Sequence, residues 1–406
     1  MIGRSVPLYG DLVYWVYYKI CGSDRQERAR PVKMFLIRLH LFFRIDHCMI
    51  MEKPMIKEDH VMGKRILPSV GRERCRWLSF LSASALLLAL LFASKTAAAS
   101  LQGTPFGEHG VLQVEGTGLV DEKGERYPLQ GMSTHGIAWF PQYIDREAFR
   151  TLRDDWGTNC VRLAMYTEEY GGYCSGGDKE ALKDLLDKGV TYASELGMYA
   201  VVDWHILSDG DPGLHQQEAV AFFDEMAERW KDRGNVLYEI CNEPDSGTDW
   251  EKIRSYAQAV IVAIRRHDPD AVVIVGTPTW SQEIDKALEH PLEYDNVMYA
   301  LHFYAATHTD WLRERCESCV RQGLPVFISE FGMCDASGNG ANDFAQASAW
   351  MELIRKYVLS CCCWNLADKA ESSSVLRPGC GKVSGWTPED LSEAGRWIRE
   401  QFRGRR

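Results

Sequence analysis

Between residues 107 and 403, short apolar runs alternate with longer segments in which apolar residues recur every three or four positions. Most of the short runs are apolar at nearly every position, which is typical of parallel strands covered on both faces. We therefore predict eight buried parallel strands. The runs are 128–132, 159–165, 199–204, 236–241, 271–276, 297–302, 325–329 and 360–365.

The segments between these runs have the periodicity of amphipathic helices. They include 179–196, 217–230, 250–267, 309–322 and 344–358. About 300 residues shared among eight strand–helix units gives about 37 residues per unit, within the usual range for a closed (β/α)8 barrel. An open doubly wound sheet is the alternative, but residues 130–136 lack the Gly-rich phosphate turn that would favour it. With no internal linker or repeat, we predict an α/β fold, a single (β/α)8 TIM barrel over residues 107–403.

The first hundred residues have a different pattern. Residues 77–93 form an apolar run that basic residues precede and the alanine triplet 97–99 follows. Basic flank, apolar core and small residues describe a secretory signal peptide, which we assign to 62–99. An uncut membrane anchor is the alternative, although 17 apolar residues are at the lower limit for spanning a bilayer. We interpret residues 1–61 as a gene-model extension or a disordered segment, and we expect a secreted, extracellular protein without stable membrane association after cleavage.

The charge is unevenly distributed along the chain. Residues 1–99 hold 16 Lys and Arg against 8 Asp and Glu, so the net charge of −11 divides into +8 there and −19 in the remainder. Residues 100–406 are therefore strongly acidic and would repel the phosphate backbone of a nucleic acid, so we do not expect nucleic acid as a partner.

Ten of the 13 cysteines follow residue 99, and an oxidising compartment would allow disulfides among them. Cys316 and Cys319 have the spacing of a metal knuckle, but no second close pair accompanies them, so we interpret them as structural. Residues 361–363 are three consecutive cysteines, which we interpret as buried thiols or as disulfide partners that the sequence does not assign. We expect no metal and no cofactor.

Polar residues end several of the predicted strands, and in a parallel barrel these ends share one rim. Two of them are glutamates, Glu243 after the fourth run and Glu330 after the seventh. One such glutamate would more often be a structural ion-pair partner, whereas two carboxylates across a small barrel mouth fit hydrolysis of a glycosidic bond. The other residues at strand ends include Arg162, Tyr166, His205, Asn242, His302, Tyr304 and Trp364.

Five ordered motifs carry a specific resemblance. They are DWHILSDGDPG (203–213), YEICNEP (238–244), VMYALHFYAATH (297–308), FISEFGMCDASGNG (327–340) and WNLADKAESSSVLRPG (364–379). These segments resemble glycoside hydrolase family 5, and within it most closely the bacterial-type endo-β-1,4-glucanases. The resemblance implies a (β/α)8 barrel and a retaining mechanism in which Glu330 is the nucleophile and Glu243 the proton donor and then the base.

The resemblance also implies roles for neighbouring residues. Arg162 and Tyr304 would hold the nucleophile, Asn242 would donate to the sugar 2-hydroxyl, and His205 and His302 would orient the glutamates; for either histidine alone, a structural role is the alternative. The positions expected to contact substrate are His135, Trp139, Phe140, Tyr166, Trp280, Trp364, Lys369 and Glu371. Phe140 and Phe331 depart from the family pattern, which leaves the fine substrate preference open.

These expectations combine into one function. We expect a monomeric, secreted endo-β-1,4-glucanase, a cellulase that cuts internal bonds of cellulose or soluble β-glucans. The alternatives are a β-mannanase or mixed-linkage β-glucanase on the same barrel, or a carbohydrate-binding protein without catalysis.

Overall fold

The computed structural model describes residues 101–245 and 247–404. The predicted signal peptide, 62–99, and the preceding segment, 1–61, lie outside the described residues. Within the part of the chain that the structure describes, no helix has the length and apolarity needed to cross a membrane.

The described residues contain ten strands and ten α-helices. The strands are β1 (Gln113–Glu115), β2 (Gly118–Val120), β3 (Gln130–Thr134), β4 (Cys160–Tyr166), β5 (Tyr199–His205), β6 (Val236–Glu239), β7 (Val273–Val275), β8 (Val297–Tyr304), β9 (Val326–Gly332) and β10 (Ser360–Leu366). The helices are α1 (Pro105–His109), α2 (Arg146–Thr151), α3 (Lys179–Glu195), α4 (Gln216–Trp230), α5 (Trp250–Arg265), α6 (Pro278–Ser281), α7 (Ile284–Glu289), α8 (Asp310–Arg321), α9 (Phe344–Tyr357) and α10 (Glu393–Arg403).

Strands β3 to β10 form a closed barrel in chain order, and every pair of neighbours is parallel. The first strand, β3, pairs with β4 on one side and with β10 on the other, which excludes the open doubly wound sheet. Each of the eight predicted strands corresponds to one barrel strand, so the predicted (β/α)8 fold is confirmed.

The barrel strands are buried on both faces, as their continuous apolar runs predicted. On β5, Val202 and Trp204 pack with the surrounding helices, while Tyr199 and Val201 pack inside the barrel with residues of other strands. This alternation follows from the two-residue period of a strand. It also places Asp203 and His205 on the inward side, toward the C-terminal end of the barrel.

The predicted helices begin and end close to their expected limits. Helix α5 is an example: the side chain of Asp249 accepts a hydrogen bond from the Lys252 backbone N–H, which caps the first turn. The helix ends at Arg265, and Pro269 follows shortly afterwards, where it cannot continue a helix.

No disulfide joins the cysteines of residues 101–245 and 247–404. Ten thiols lie within the described residues without a disulfide, and only Cys174 and Cys380 among them are partly exposed. Cys316 and Cys319 are buried on α8. The structural interpretation of this pair therefore fits its position against the core.

Candidate active site

The C-terminal ends of five barrel strands bring a dense set of polar side chains together. Arg162 lies on β4, His205 on β5, His302 and Tyr304 on β8, and Glu330 on β9. Asn242 and Glu243 follow the end of β6, where the Asn242 backbone N–H donates to the carbonyl of Trp204 at 3.2 Å. The seven side chains thus gather toward the C-terminal end of the barrel.

Glu243 and Glu330 are close neighbours across this rim. One carboxylate oxygen of Glu243, one of Glu330 and one ring nitrogen of His302 all lie within 4.8 Å of one another. Both glutamates are at least nine-tenths buried. Two carboxylates at this separation match the geometry of retaining glycosidases, whereas inverting enzymes need a wider gap that admits a water molecule.

Two donors hold the carboxylate of Glu330. The Tyr304 hydroxyl donates to Oε1 at 2.7 Å, and Nη1 of Arg162 donates to Oε2 at 3.2 Å. Both oxygens of Glu330 thus have a partner, which fixes the orientation of the carboxylate.

Arg162 is fully buried and organises the floor of the site. Its Nε donates to Glu239 at 2.7 Å, and its Nη2 donates to the Asn242 side-chain oxygen at 2.6 Å. The same Nη2 lies 3.1 Å from an oxygen of Asp203. The planar guanidinium therefore donates hydrogen bonds to several acceptors at once, a geometry that a lysine ammonium does not supply.

Glu239 is a site residue that the sequence analysis missed. Burial opposes its charged form, but the adjacent Arg162 outweighs burial, and the pKa falls to about 2. Its sequence signal was an acidic residue inside an otherwise apolar strand, since a buried carboxylate is costly unless it is paired.

His302 contacts both Glu243 and a strand β9 hydroxyl. Nδ1 lies 2.8 Å from Oε1 of Glu243, and Nε2 lies 2.9 Å from the hydroxyl of Ser329. Burial lowers the pKa of His302, but the nearby carboxylates of Glu239, 3.7 Å from Nε2, and of Glu243 outweigh it and raise the pKa to about 9. The ring is therefore an imidazolium at neutral pH.

His205 differs from His302 in that its ring carries no charge. Burial, and then the positive charge of Arg162, lower its pKa to about 3, so the ring is neutral. Its Nδ1 lies 2.6 Å from Asp203, whose own pKa burial raises well above the usual range. The ring stacks on Trp364 with centroids 5.1 Å apart.

Most of the predicted sugar contacts line one side of the rim. His135 lies within ring contact of Trp139, Tyr166 and Trp364. Lys369 pairs with Glu371 at 2.6 Å, and its ammonium lies 4.8 Å from the ring centroid of Trp139. Phe140 packs against the hydrophobic core and Tyr143, so it supports this wall from behind.

Trp280 lies on the opposite side of the rim, in the short, irregular segment α6 that follows β7. Its backbone N–H donates to the carbonyl of Pro244 at 3.0 Å, next to Glu243. Thr279, Trp280 and Ser281 all have left-handed backbone conformations, with φ of 56°, 52° and 56°. Such angles are unfavourable for residues other than glycine, and the hydrogen bonds around them hold the indole at the rim.

Comparison with known proteins gives consistent matches. A family model described as cellulase, glycosyl hydrolase family 5, matches residues 120–370. The chain is 47% identical over 297 residues to endoglucanase A of Butyrivibrio fibrisolvens, which covers 72% of this chain and 69% of that protein. It is 44% identical over 305 residues to endoglucanase 5 of Pectobacterium carotovorum subsp. carotovorum, covering 75% of this chain and 60% of that protein.

A solved structure matches over the same region. The catalytic domain of endoglucanase Cel5A from Thermobifida fusca, in complex with cellotetraose, superimposes with a TM-score of 0.71 at 38% identity. The match covers 74% of this chain and 100% of that domain.

Proposed function

The chain belongs to glycosyl hydrolase family 5, the cellulase family, and from this membership we propose that it is an endo-1,4-β-glucanase that hydrolyses internal bonds of β-1,4-linked glucans with retention of configuration. The observation that carries the mechanism is the position of Glu243 and Glu330, whose carboxylate oxygens lie within 4.8 Å of each other.

In the first step, a carboxylate oxygen of Glu330 attacks C1 of the sugar while Glu243 gives its proton to the departing glycosidic oxygen. The C1–oxygen bond to the leaving chain breaks, and an ester bond to Glu330 forms. Tyr304 and Arg162 hold the nucleophile in place through its two oxygens. A nucleophile fixed before the substrate arrives needs no reorganisation during the reaction.

In the second step, Glu243 has become a carboxylate and removes a proton from water. The oxygen of that water attacks C1, and Glu330 leaves as a carboxylate. His302 lies 2.8 Å from Oε1 of Glu243 and holds this carboxyl group in position for both steps.

The walls of the site support a neutral, extended polysaccharide as substrate. Trp139 and Trp280 are each more than two-fifths exposed on opposite sides of the rim, and their flat apolar faces suit the C–H faces of glucose. His135, Lys369 and Glu371 supply hydroxyl partners between them. Hydrogen bonds fix the Asn242 side chain, since its oxygen accepts from Arg162 and its nitrogen donates to the carbonyl of Ile206.

A polysaccharide panel tests the substrate. We expect release of reducing sugar from carboxymethylcellulose, with a fall in viscosity that precedes most of the release because the cuts are internal. Mannan and barley mixed-linkage glucan are the comparison substrates, and the Glu330→Gln variant is the blank for contaminating activity. Cleavage of mannan alone would contradict the proposal and favour the β-mannanase alternative.

Proton NMR of freshly formed product tests the stereochemistry. A retaining enzyme first releases the β-anomer, which then equilibrates with the α-anomer in water. Initial release of the α-anomer would contradict the assignment of Glu330 as nucleophile.

Secretion and oligomeric state are further parts of the proposal. The apolar run 77–93 and the alanine triplet 97–99 support export and cleavage, so N-terminal sequencing of the exported protein is expected to begin at Ser100 or a close neighbour. An intact N-terminus on membrane-bound protein would instead identify an anchor. We also propose a monomer, which analytical ultracentrifugation tests directly.

A further inference from the structure

The loop that follows β4 presents an aromatic side chain that the catalytic site does not use. Tyr170 is 68% exposed, more than any other large hydrophobic residue among those the structure describes. Its ring lies next to that of Trp139, with centroids 5.7 Å apart and planes tilted by 48°. A side chain of this size in water, beside a second exposed aromatic ring, forms an apolar surface at the edge of the cleft.

Three contacts hold the Tyr170 loop in place. Glu168 pairs with His215 at 2.6 Å, and Glu169 accepts a hydrogen bond from the Ser208 backbone N–H at 2.9 Å. Both partners belong to the segment after β5, so the two loops are tied together just before Tyr170. Tyr170 follows these anchors directly, and its backbone position is therefore fixed.

Gly171 provides the third contact, because it lets the loop approach the segment that carries Trp139. A Cβ atom built on Gly171 would lie 2.8 Å from the Cβ of Ala138, closer than real Cβ atoms come to their neighbours. Gly171 also has a φ of 67°, which favours glycine. The absence of a side chain at this position is what allows the two aromatic rings to meet.

The barrel topology places this aromatic pair at the end of the cleft away from Trp280. Trp139 and Tyr170 follow the first and second barrel strands, whereas Trp280 follows the fifth, which lies across an eight-stranded barrel from the first. Glu243 follows the fourth strand, next to Trp280, so the leaving chain occupies that side. The Trp139 side therefore holds the part of the glucan that becomes attached to Glu330.

We propose that Tyr170 forms an additional sugar-binding subsite beyond Trp139, which binds a further glucosyl unit at the non-reducing end of the bound chain. This inference rests on the proposed function. A spacing of 5.7 Å is about the length of one glucosyl unit, so the two rings contact successive sugars. Their 48° tilt suits a single twisted chain rather than the flat face of a crystal, so the subsite serves soluble glucans.

The test compares long and short oligosaccharides. Tyr170→Ala is expected to lower kcat/KM for cellohexaose by about three- to tenfold, because it removes the apolar face that covers one sugar. Its kcat/KM for cellotriose is expected to stay at the wild-type value, since that chain is too short to span the cleft. Tyr170→Phe keeps the ring and is expected to behave as wild type, and Val262→Ala is the control for truncating an exposed side chain on an outer helix.

A binding measurement separates affinity from turnover. Calorimetry with cellohexaose compares Glu330→Gln with the double variant Glu330→Gln/Tyr170→Ala, for which we expect a three- to tenfold weaker affinity, about the effect of one stacked sugar. Equal affinities, or an equal loss of kcat/KM on both oligosaccharides, would overturn the subsite and leave the proposed function intact. A wild-type protein that cleaves neither oligosaccharide nor carboxymethylcellulose would overturn the proposed function, and the subsite with it.

Discussion

The imidazole of His302 lies 2.8 Å from Oε1 of Glu243 and stays protonated although it is almost wholly buried. Burial alone lowers its pKa, but the nearby carboxylates of Glu239 and Glu243 raise the pKa to about 9. The unfolded chain has the ordinary value of about 6.5. The folded protein therefore holds this proton more tightly, and the pair stabilises the fold fully below about pH 6.5 and no longer once the pH has risen through about 9.

This linkage predicts a pH dependence that His302→Gln reduces. Urea unfolding at a series of pH values from 6 to 9.5 measures the free energy of unfolding of both proteins. We expect the wild type to be more stable than the variant at pH 6 and the difference to shrink as the pH approaches 9.5. Parallel stability curves for the two proteins would show that His302 does not titrate as its surroundings indicate.

Replacing Glu330 and replacing Glu243 are expected to block different steps of the reaction. Glu330→Gln and Glu243→Gln should both lower kcat on carboxymethylcellulose by about 10³-fold or more, since each removes a group that the reaction requires. An aryl cellobioside with a strongly acidic phenol separates them, because its leaving group needs no proton. With this substrate, Glu243→Gln should release a burst of phenol and accumulate a glycosyl-enzyme visible by intact-protein mass spectrometry.

For Glu330→Gln we expect neither a burst nor an adduct with the aryl cellobioside. Binding of cellotetraose to this variant, measured by calorimetry, shows that its cleft is intact. A covalent adduct on Glu330→Gln would contradict the assignment of Glu330 as nucleophile. The absence of a burst from Glu243→Gln would contradict the assignment of Glu243 as proton donor.

Arg162→Lys tests whether the buried guanidinium holds the site together. The substitution keeps the positive charge but leaves Glu239, Asn242 or Glu330 without a donor. Breaking such a buried network costs about 3–5 kcal/mol of unfolding free energy, as urea denaturation measures. Arg146→Lys is the control, because Arg146 pairs with Glu195 at the surface and its loss is expected to cost less than about 1 kcal/mol. Equal costs for the two variants would contradict the organising role of Arg162.

The barrel was predictable from sequence because its strands are buried on both faces. Continuous apolar runs separated by amphipathic helices leave few other architectures, and each run corresponds to one strand from β3 to β10. The hairpin of β1 and β2 was not predicted, because strands of three residues are too short for a periodic pattern. Its Leu119 joins the buried cluster inside the barrel, a contact that only the closed fold creates.

Glu243 and Glu330 were predictable as candidate site residues because each follows an apolar run in the sequence, whereas the residues around them were less so. Glu239 falls inside the apolar run 236–241 and Ser329 inside the run 325–329, so neither stood out as a polar residue after a run. Their roles depend on the barrel interior, where Arg162 and His302 from other strands meet them. The contact between Tyr170 and Trp139 likewise depends on how two separate loops pack, which no local pattern encodes.

Trp280 provides a test of the leaving-group side of the cleft. Its strained turn is fixed by the Ser281 hydroxyl, which donates to the carbonyl of Asn242 at 2.7 Å, beside Glu243. Trp280→Ala is expected to lower kcat/KM on cellotetraose by about three- to tenfold, because one apolar face for the departing sugars is lost. An aryl cellobioside, whose single ring covers less of the indole than two departing sugars, should lose a smaller fraction of its kcat/KM.

Two further variants decide how Trp280 acts. Ser281→Ala removes the hydrogen bond that holds the turn, so we expect it to reproduce part of the loss on cellotetraose and to lower the unfolding free energy by about 1–3 kcal/mol. Trp311→Ala, at an exposed tryptophan on α8, is the matched control and should leave both substrates unaffected. Equal losses on the aryl cellobioside and on cellotetraose would mean that Trp280 supports Glu243 rather than the departing sugars.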